Sequence, residues 1–383
     1  MRLLYVSPGT NVTDPKAGDQ VRAWNIIEGL SEQGWEITVL EKADSDSTVE
    51  AANVRTFKQP LPPRLNDFNP FLYKALHEQF RTTPPDVIQV KTFSGVIAAK
   101  VVSWLSGDDA KVVYDAQNFE TRKITTAKES LPWYKRLAAP TVVPWLESTA
   151  VRAADHVVSV SENDRESFRR HHDIPESQIS VVPSGSNLVD TDAADVAGFL
   201  DRHDIPTGAP LVIFHGYYGY YPNRQAIETL AEDIVPALNS RDVDYHLIVA
   251  GKGVPEFEGI NGISGVGYVE DLEAFLAAAD LAVVPLHQGG GTKLKVLDYL
   301  CAALPIVTTT VGAQGIDLQN GESALIYDQV NKQFVDGICR LIKDPKLRDI
   351  LGQRVRELAE EKYSWSHIVP QVDDVLISLV KSK

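Results

Sequence analysis

The sequence predicts an α/β protein made of two doubly wound parallel-sheet domains. Short β-branched apolar runs alternate with amphipathic helical stretches, and this alternation gives parallel sheets wound with helices on both faces. The alternation runs twice, with a pause between the two series. The chain has 383 residues, beyond the ~250–300 at which one hydrophobic core stops growing. The first strand series falls at residues 2–7, 36–41, 86–91, 111–115, 156–160 and 179–183. The second falls at 210–215, 245–250, 264–268, 281–285, 306–309 and 324–327. Runs such as Leu211-Val-Ile-Phe214 are apolar throughout, as strands covered on both faces require. Helices are expected at 18–33, 165–171, 223–239, 272–279 and 294–303. The stretch 187–209 is rich in Asp, Ala and Gly and is the expected interdomain connection. The domains are therefore set at 1–190 and 205–365, with 366–383 a helix returning to the first domain. Two such domains would face a central cleft, with ligands at the carboxyl ends of the strands.

Composition narrows the function classes. At 44% hydrophobic the chain can fill full-sized cores. A net charge of −15 with no run of basic residues argues against gripping nucleic-acid backbones or anionic lipid. Cys301 lies in an apolar helix and Cys339 stands apart, so neither a disulfide framework nor a cysteine metal cluster is expected. The nine histidines show no metal-ligand spacing. No apolar run approaches the ~18 residues that span a bilayer, and the first strand begins at residue 2 without a signal peptide. These features predict a soluble, reduced, cytosolic protein.

One segment carries chemistry. A buried strand ends at Pro285, Gly289, Gly290 and Gly291 follow, and a helix is expected to open at Thr292. Consecutive glycines let backbone N–H groups approach a ligand, and a helix N-terminus adds its positive dipole end, so a diphosphate is well accommodated. Lys293 and Lys295 add full charges. Lys295 and Asp298 are three residues apart and share a helix face, where the carboxylate suits a ribose diol. Taken alone, the glycine run is also compatible with a plain strand–helix turn.

Further pieces accompany it. The C-terminal half holds His215-Gly followed by Tyr-Pro-Asn-Arg-Gln-Ala, Ile248-Val-Ala-Gly-Lys-Gly253 and Gly267-Tyr268-Val269. The N-terminal half holds Asp115-Ala-Gln-Asn-Phe-Glu120, Ala154-Asp-His-Val-Val-Ser-Val-Ser-Glu162 and Val182-Pro-Ser-Gly185. In number, order and spacing these resemble the retaining glycosyltransferases of family 4, also called glycosyl transferases group 1. The resemblance implies the GT-B fold, with two Rossmann-like domains binding acceptor (N-terminal) and nucleotide-sugar donor (C-terminal). It implies a metal-independent hexosyltransferase of cell-surface glycan or polysaccharide biosynthesis that needs no cofactor beyond the donor substrate. Gly18 matches the glycine that faces the donor phosphates, Gly216 and Tyr217 line the donor loop, and Gly267, Tyr268 and Val269 border the base.

The chain departs from the family pattern at three places. The family sets two glutamates eight positions apart around the glycine turn; here these positions are Gly290 and Asp298. The Arg and Lys that neutralise the leaving diphosphate correspond to Tyr217 and Asn223, so that role passes to Lys295 first, with Lys293 and Arg224 behind it. The motif His-Asn-x-Glu reads Gln117-Asn118-Phe119-Glu120, and a glutamine cannot shuttle a proton. The catalytic set is thus Lys295, Gln117 and Asp298. The segment 131–146, with Trp133 and Trp145, either covers the N-terminal core or touches a lipid-linked acceptor or membrane surface. A non-catalytic nucleotide-sugar binder and a nucleotide-sugar epimerase are the competing readings.

Overall fold

The computed structural model describes residues 1–15, 18–42, 47–58, 69–126, 133–241 and 243–382. The chain divides into two compact units, Met1–Ser184 with Trp365–Lys383, and Gly185–Ser364.

In the first unit the chain runs β1 (Arg2–Ser7), α1 (Gly18–Glu32), β2 (Glu36–Glu41), β3 (Ser47–Val49), β4 (Ala52–Thr56), α2 (Pro70–Thr82), β5 (Val87–Val90) and α3 (Phe93–Ser106). It continues through β6 (Lys111–Ala116), α4 (Glu120–Thr126), α5 (Trp133–Ala153), β7 (His156–Ser159), α6 (Glu162–His172) and β8 (Ile179–Val181). The eight strands lie in the order β3-β4-β2-β1-β5-β6-β7-β8, parallel except for the β3–β4 pair. Alternate residues of each central strand feed two cores. Leu4, Val6, Ile88, Val90, Val112 and Tyr114 face one layer, and Leu3, Tyr5, Val39, Val87, Val113 and Val158 face the other.

Strands β3 and β4 lie outside the predicted series. They are only three and five residues long, and the Ala-Asn-Val-Arg-Thr run of β4 has too little apolar signal to stand out. Helix α6 starts at Glu162, three residues before the expected position, because Ser161 caps it by accepting from Asp164 N.

The C-terminal helix, Trp365–Lys381, belongs to the first unit and packs on α1. Trp35 Nε1 donates to Asp373 Oδ1 at 2.6 Å. Gly29 is the point of closest approach, since a Cβ there would sit 2.6 Å from Val369 Cγ2. Gly29→Val is therefore expected to destabilise the first unit by about 2–3 kcal/mol. Urea unfolding followed by tryptophan fluorescence checks this, and an unchanged midpoint would remove the packing argument.

The second unit begins earlier than the sequence suggests. Residues 187–209, expected as a connection, carry α7 (Val196–Arg202), and Val189, Phe199 and Ile205 are buried in the second core. Three apolar side chains among acidic neighbours suffice to dock the segment. The unit continues with β9 (Leu211–His215), α8 (Tyr221–Thr229), a π-helical turn over Leu230–Ile234, α9 (Val235–Asn239), β10 (His246–Ala250), β11 (Ile263–Gly267) and α10 (Leu272–Ala277). It ends with β12 (Leu281–Val284), α11 (Leu294–Cys301), β13 (Ile306–Thr309), β14 (Leu325–Tyr327), α12 (Lys332–Lys343) and α13 (Pro345–Leu358). The all-parallel sheet has the order β11-β10-β9-β12-β13-β14. The single helix expected over 223–239 is interrupted by the π turn just before Pro236, whose ring and missing N–H do not suit regular i−4 bonding.

No helix among the described residues is long and apolar enough to cross a membrane. In the segment 131–146, residues 131–132 and the side chains of 133–138 lie outside the described residues. Of the rest, Leu146 is buried while Val142 and Trp145 are exposed.

Candidate functional site

The second sheet changes winding direction between β9 and β12, which are neighbours although not consecutive. Such a switch point opens a crevice at the strand carboxyl ends. Glycines stand at the ends of the strands there: Gly216 after β9, Gly251 after β10 and Gly267 closing β11. Gly251 N donates to Gly267 O at 2.6 Å and Gly216 N to Ala250 O at 2.9 Å. A Cβ on Gly251, where φ is +142°, would lie 2.1 Å from Gly216 O. The ends of β9 and β10 can close together here only because Gly251 carries no side chain.

The glycine turn after β12 holds Gly289 at φ +139° and Gly291 at φ +68°, both in the left-handed half of backbone space that glycine tolerates. Gly290 has open space around it, so the missing glutamate is not a matter of crowding. Helix α11 opens at Leu294, the start of the helical stretch expected over 294–303 and two residues beyond Thr292, with Lys293 preceding it and no side chain capping its first N–H groups. Thr292 thus belongs to the turn, and its buried Oγ1 has no partner among the described residues. An uncapped helix start beside a glycine turn is a ready anion site.

The two lysines behave differently. Lys293 Nζ folds back on the turn and donates to Gly291 O at 2.7 Å; burial lowers its pKa to about 8. Lys295 Nζ lies 4.0 Å from the centroid of the Phe214 ring and donates to Asn223 Oδ1 at 2.7 Å. A Cβ on Gly216 would come within 2.6 Å of it. Burial lowers its pKa to about 7, partly opposed by the Asp298 carboxylate and reinforced by Lys293. Asn223 thus holds Lys295. Its Nδ2 donates to Tyr217 O at 3.1 Å, which closes the loop between β9 and α8.

Asp298 lies one helical turn beyond Lys295. Its Oδ1 accepts from Ser186 Oγ at 2.7 Å, and its Oδ2 is 3.1 Å from His215 Nε2. Neither Ser186 nor His215 is among the residues picked from sequence as site members. The signal for His215 is its place as the last residue of β9, directly before Gly216.

Around this centre, Tyr217 and Tyr268 are exposed and Val269 is half-buried. Arg224 is engaged with Tyr221, its guanidinium carbon 5.4 Å from the ring centroid, and among the described residues no hydrogen bond ties it to the lysines. Lys295, Lys293, Asp298 and the glycines therefore form one cluster, with Arg224 to the side.

In the first unit, Gly18 is the first residue of α1 and Gln117 Nε2 donates to Asp19 O at 3.2 Å. The two residues are neighbours at the carboxyl ends of β1 and β6. Lys91, at the end of β5, pairs with Asp19 Oδ2 at 2.7 Å. Glu120 N donates to Glu147 Oε1 at 2.9 Å, so the buried Glu147 fixes the start of α4. Among the described residues no three His, Cys, Asp or Glu side chains come together as metal ligands.

Comparison with known proteins agrees with this architecture. The model for glycosyl transferases group 1 matches residues 209–344, and that for glycosyltransferase family 4 matches residues 17–190. The α-D-kanosaminyltransferase of Streptomyces kanamyceticus is 23% identical over 248 residues. That match covers 61% of this chain and 62% of the relative, so the chain spans under two thirds of the relative's length. The solved sucrose-phosphate synthase of Thermosynechococcus elongatus superposes with a TM-score of 0.76 at 16% identity, covering 100% of both chains. The Anabaena protein HepE in complex with UDP-glucose gives 0.70 at 15% identity, covering 99% of this chain and 100% of that one. At such identities the structural likeness speaks for the fold alone. Family matches fall on both halves and the neighbours share the two-sheet architecture: the chain belongs to the family 4, group 1 glycosyltransferases and has the GT-B fold.

Proposed function

We propose that the protein is a glycosyltransferase that moves a hexose from a nucleoside diphosphate sugar to a hydroxyl acceptor with retention of anomeric configuration. The observation that carries this reading is Lys295 Nζ, held by Asn223 and Phe214 under Gly216 and one helical turn from Asp298. The glycine turn and the uncapped start of α11 suit the diphosphate. Asp298 suits the ribose diol, and the backbone around Gly267, Tyr268 and Val269 suits the base. HepE, solved with UDP-glucose, shows that a protein of this fold takes such a donor.

In this reading the bond between the anomeric carbon and the diphosphate oxygen breaks while the acceptor oxygen bonds that carbon on the same face. The acceptor proton passes to the departing phosphate oxygen, so no side chain needs to shuttle it. That suits Gln117, which can hydrogen-bond a sugar but cannot exchange a proton. Negative charge grows on the diphosphate as the bond breaks, and Lys295 stabilises it there.

Titration calorimetry with UDP-, GDP- and ADP-sugars is expected to find one donor with a dissociation constant in the micromolar range, roughly −8 kcal/mol. Incubating that donor with acceptor extracts should release nucleoside diphosphate. Binding without release would favour a non-catalytic nucleotide-sugar binder, the reading that Gly290 and Gln117 suggest. No binding at all would defeat the donor-site assignment.

A further inference from the structure

Asp298 is one methylene shorter than the glutamate usual at its position, so its carboxylate has less reach and depends on being aimed. Two donors aim it. Ser186 Oγ donates to Oδ1 at 2.7 Å, and His215 Nε2 meets Oδ2 at 3.1 Å. The serine distance is that of a short hydrogen bond to a charged acceptor, and the histidine distance is within ordinary N–H···O range. His215 Nδ1 is buried and has no partner among the described residues. A proton there would be an unsatisfied buried donor, so the ring carries its proton on Nε2 and donates it to the carboxylate.

The donors are themselves fixed. The His215 ring meets Tyr299 edge-on, centroids 5.2 Å apart, and Phe275 edge-on at 6.0 Å. Its backbone N–H donates to Tyr299 Oη at 2.9 Å. Ser186 N donates to Tyr363 O at 2.9 Å, and Ser186 O accepts from Cys301 Sγ at 3.6 Å. The two donors therefore hold the carboxylate plane against rotation. Each carboxylate oxygen keeps a free lone pair, and the Asp298 side chain remains 18% exposed. A clamp that served packing alone would have closed the carboxylate off.

We infer that His215 and Ser186 are positioning residues that orient Asp298 to take the two hydroxyls of the donor's ribose. This rests on the nucleotide-sugar reading above and deepens it. A carboxylate whose two oxygens are each pinned by one donor presents its remaining lone pairs as a pair matched to a vicinal diol.

The test compares ribose with 2′-deoxyribose nucleotides. UDP, GDP and ADP and their 2′-deoxy forms are titrated against the full chain and against His215→Phe, His215→Gln and Ser186→Ala. In the unsubstituted protein the preferred ribonucleotide should bind roughly tenfold tighter than its deoxy form, the worth of one hydrogen bond to a charged group. In His215→Phe the ratio of ribonucleotide to deoxynucleotide affinity should fall from about tenfold toward one. His215→Gln, which keeps an N–H donor, should restore part of the discrimination, and Ser186→Ala should lose part of it. Unchanged ribose-to-deoxyribose ratios in both His215→Phe and Ser186→Ala would overturn the inference while leaving the donor site standing. If His215→Phe does not fold, Ser186→Ala decides alone, an unchanged ratio being the overturning result. Failure of all three nucleotides to bind the unsubstituted protein would overturn the nucleotide-sugar reading, and this inference with it.

Discussion

Lys295→Ala is expected to lower kcat/KM for sugar transfer by roughly 10²–10³-fold, the usual cost of removing one group that stabilises developing charge. The effect should fall mainly on kcat, because charge on the leaving diphosphate grows as the bond breaks. Lys295→Arg should recover little. The planar guanidinium is larger than the ammonium, and Gly216, Asn223 and Phe214 crowd Nζ on the sides they occupy. Steady-state kinetics with the donor found by titration measures both. An alanine variant within about threefold of the original enzyme would remove Lys295 from the mechanism.

The same residue sets a pH dependence. Burial holds its amine near a pKa of about 7 in the unliganded protein, and a bound diphosphate would raise that value. Binding then takes up a proton: affinity is at its full value below pH 7 and falls as pH rises above it. For one such group the loss between pH 6 and pH 8 is about tenfold. Lys293, at about 8, extends the decline at higher pH. Calorimetry in two buffers of different ionisation enthalpy should register the proton uptake, and Lys295→Ala should flatten the profile. A donor affinity flat from pH 6 to 8 would contradict the assignment.

The second large effect concerns stability. Asp115 and Arg22 form a fully buried ion pair at 3.1 Å. Arg22 also donates to Val182 O at 3.0 Å and Pro183 O at 2.5 Å, and Gln89 Nε2 donates to Asp115 Oδ2 at 3.2 Å. The network joins α1 to β5, β6 and the chain just beyond β8. Asp115→Ala leaves the guanidinium charge buried and uncompensated, so a loss of about 3–5 kcal/mol is expected. Asp115→Asn keeps an acceptor for Arg22 and should cost less. All six tryptophans (24, 35, 104, 133, 145 and 365) belong to the first unit, so urea unfolding followed by their fluorescence reports this unit by itself. A loss below about 1 kcal/mol for the alanine variant would show that the pair is not what holds these elements together.

The alternation of apolar runs and amphipathic stretches was enough to place the central strands of both sheets, because strands buried on two faces must be apolar throughout. It was not enough for β3 and β4, which are short, partly polar and held by pairing with β2 rather than by their own composition. Within the site, the glycine turn and the shared helix face of Lys295 and Asp298 follow from local spacing, and local spacing is written in the sequence. What surrounds them is not. His215 lies 83 positions from Asp298 and Ser186 lies 112; Asn223 lies 72 positions from Lys295. The pairs made by His215 and Asn223 meet because β12 returns beside β9 instead of continuing past β11, and Ser186 is held in place by its bonds to Tyr363 O and Cys301 Sγ. Strand order is decided by how helices of particular size cover the sheet, which no window of sequence records. The sequence by itself determined the family, the two wound sheets and the turn that suits a diphosphate. Only the tertiary structure decided that Asn223 and Phe214 hold the lysine, and that a serine and a histidine meet the two oxygens of the carboxylate.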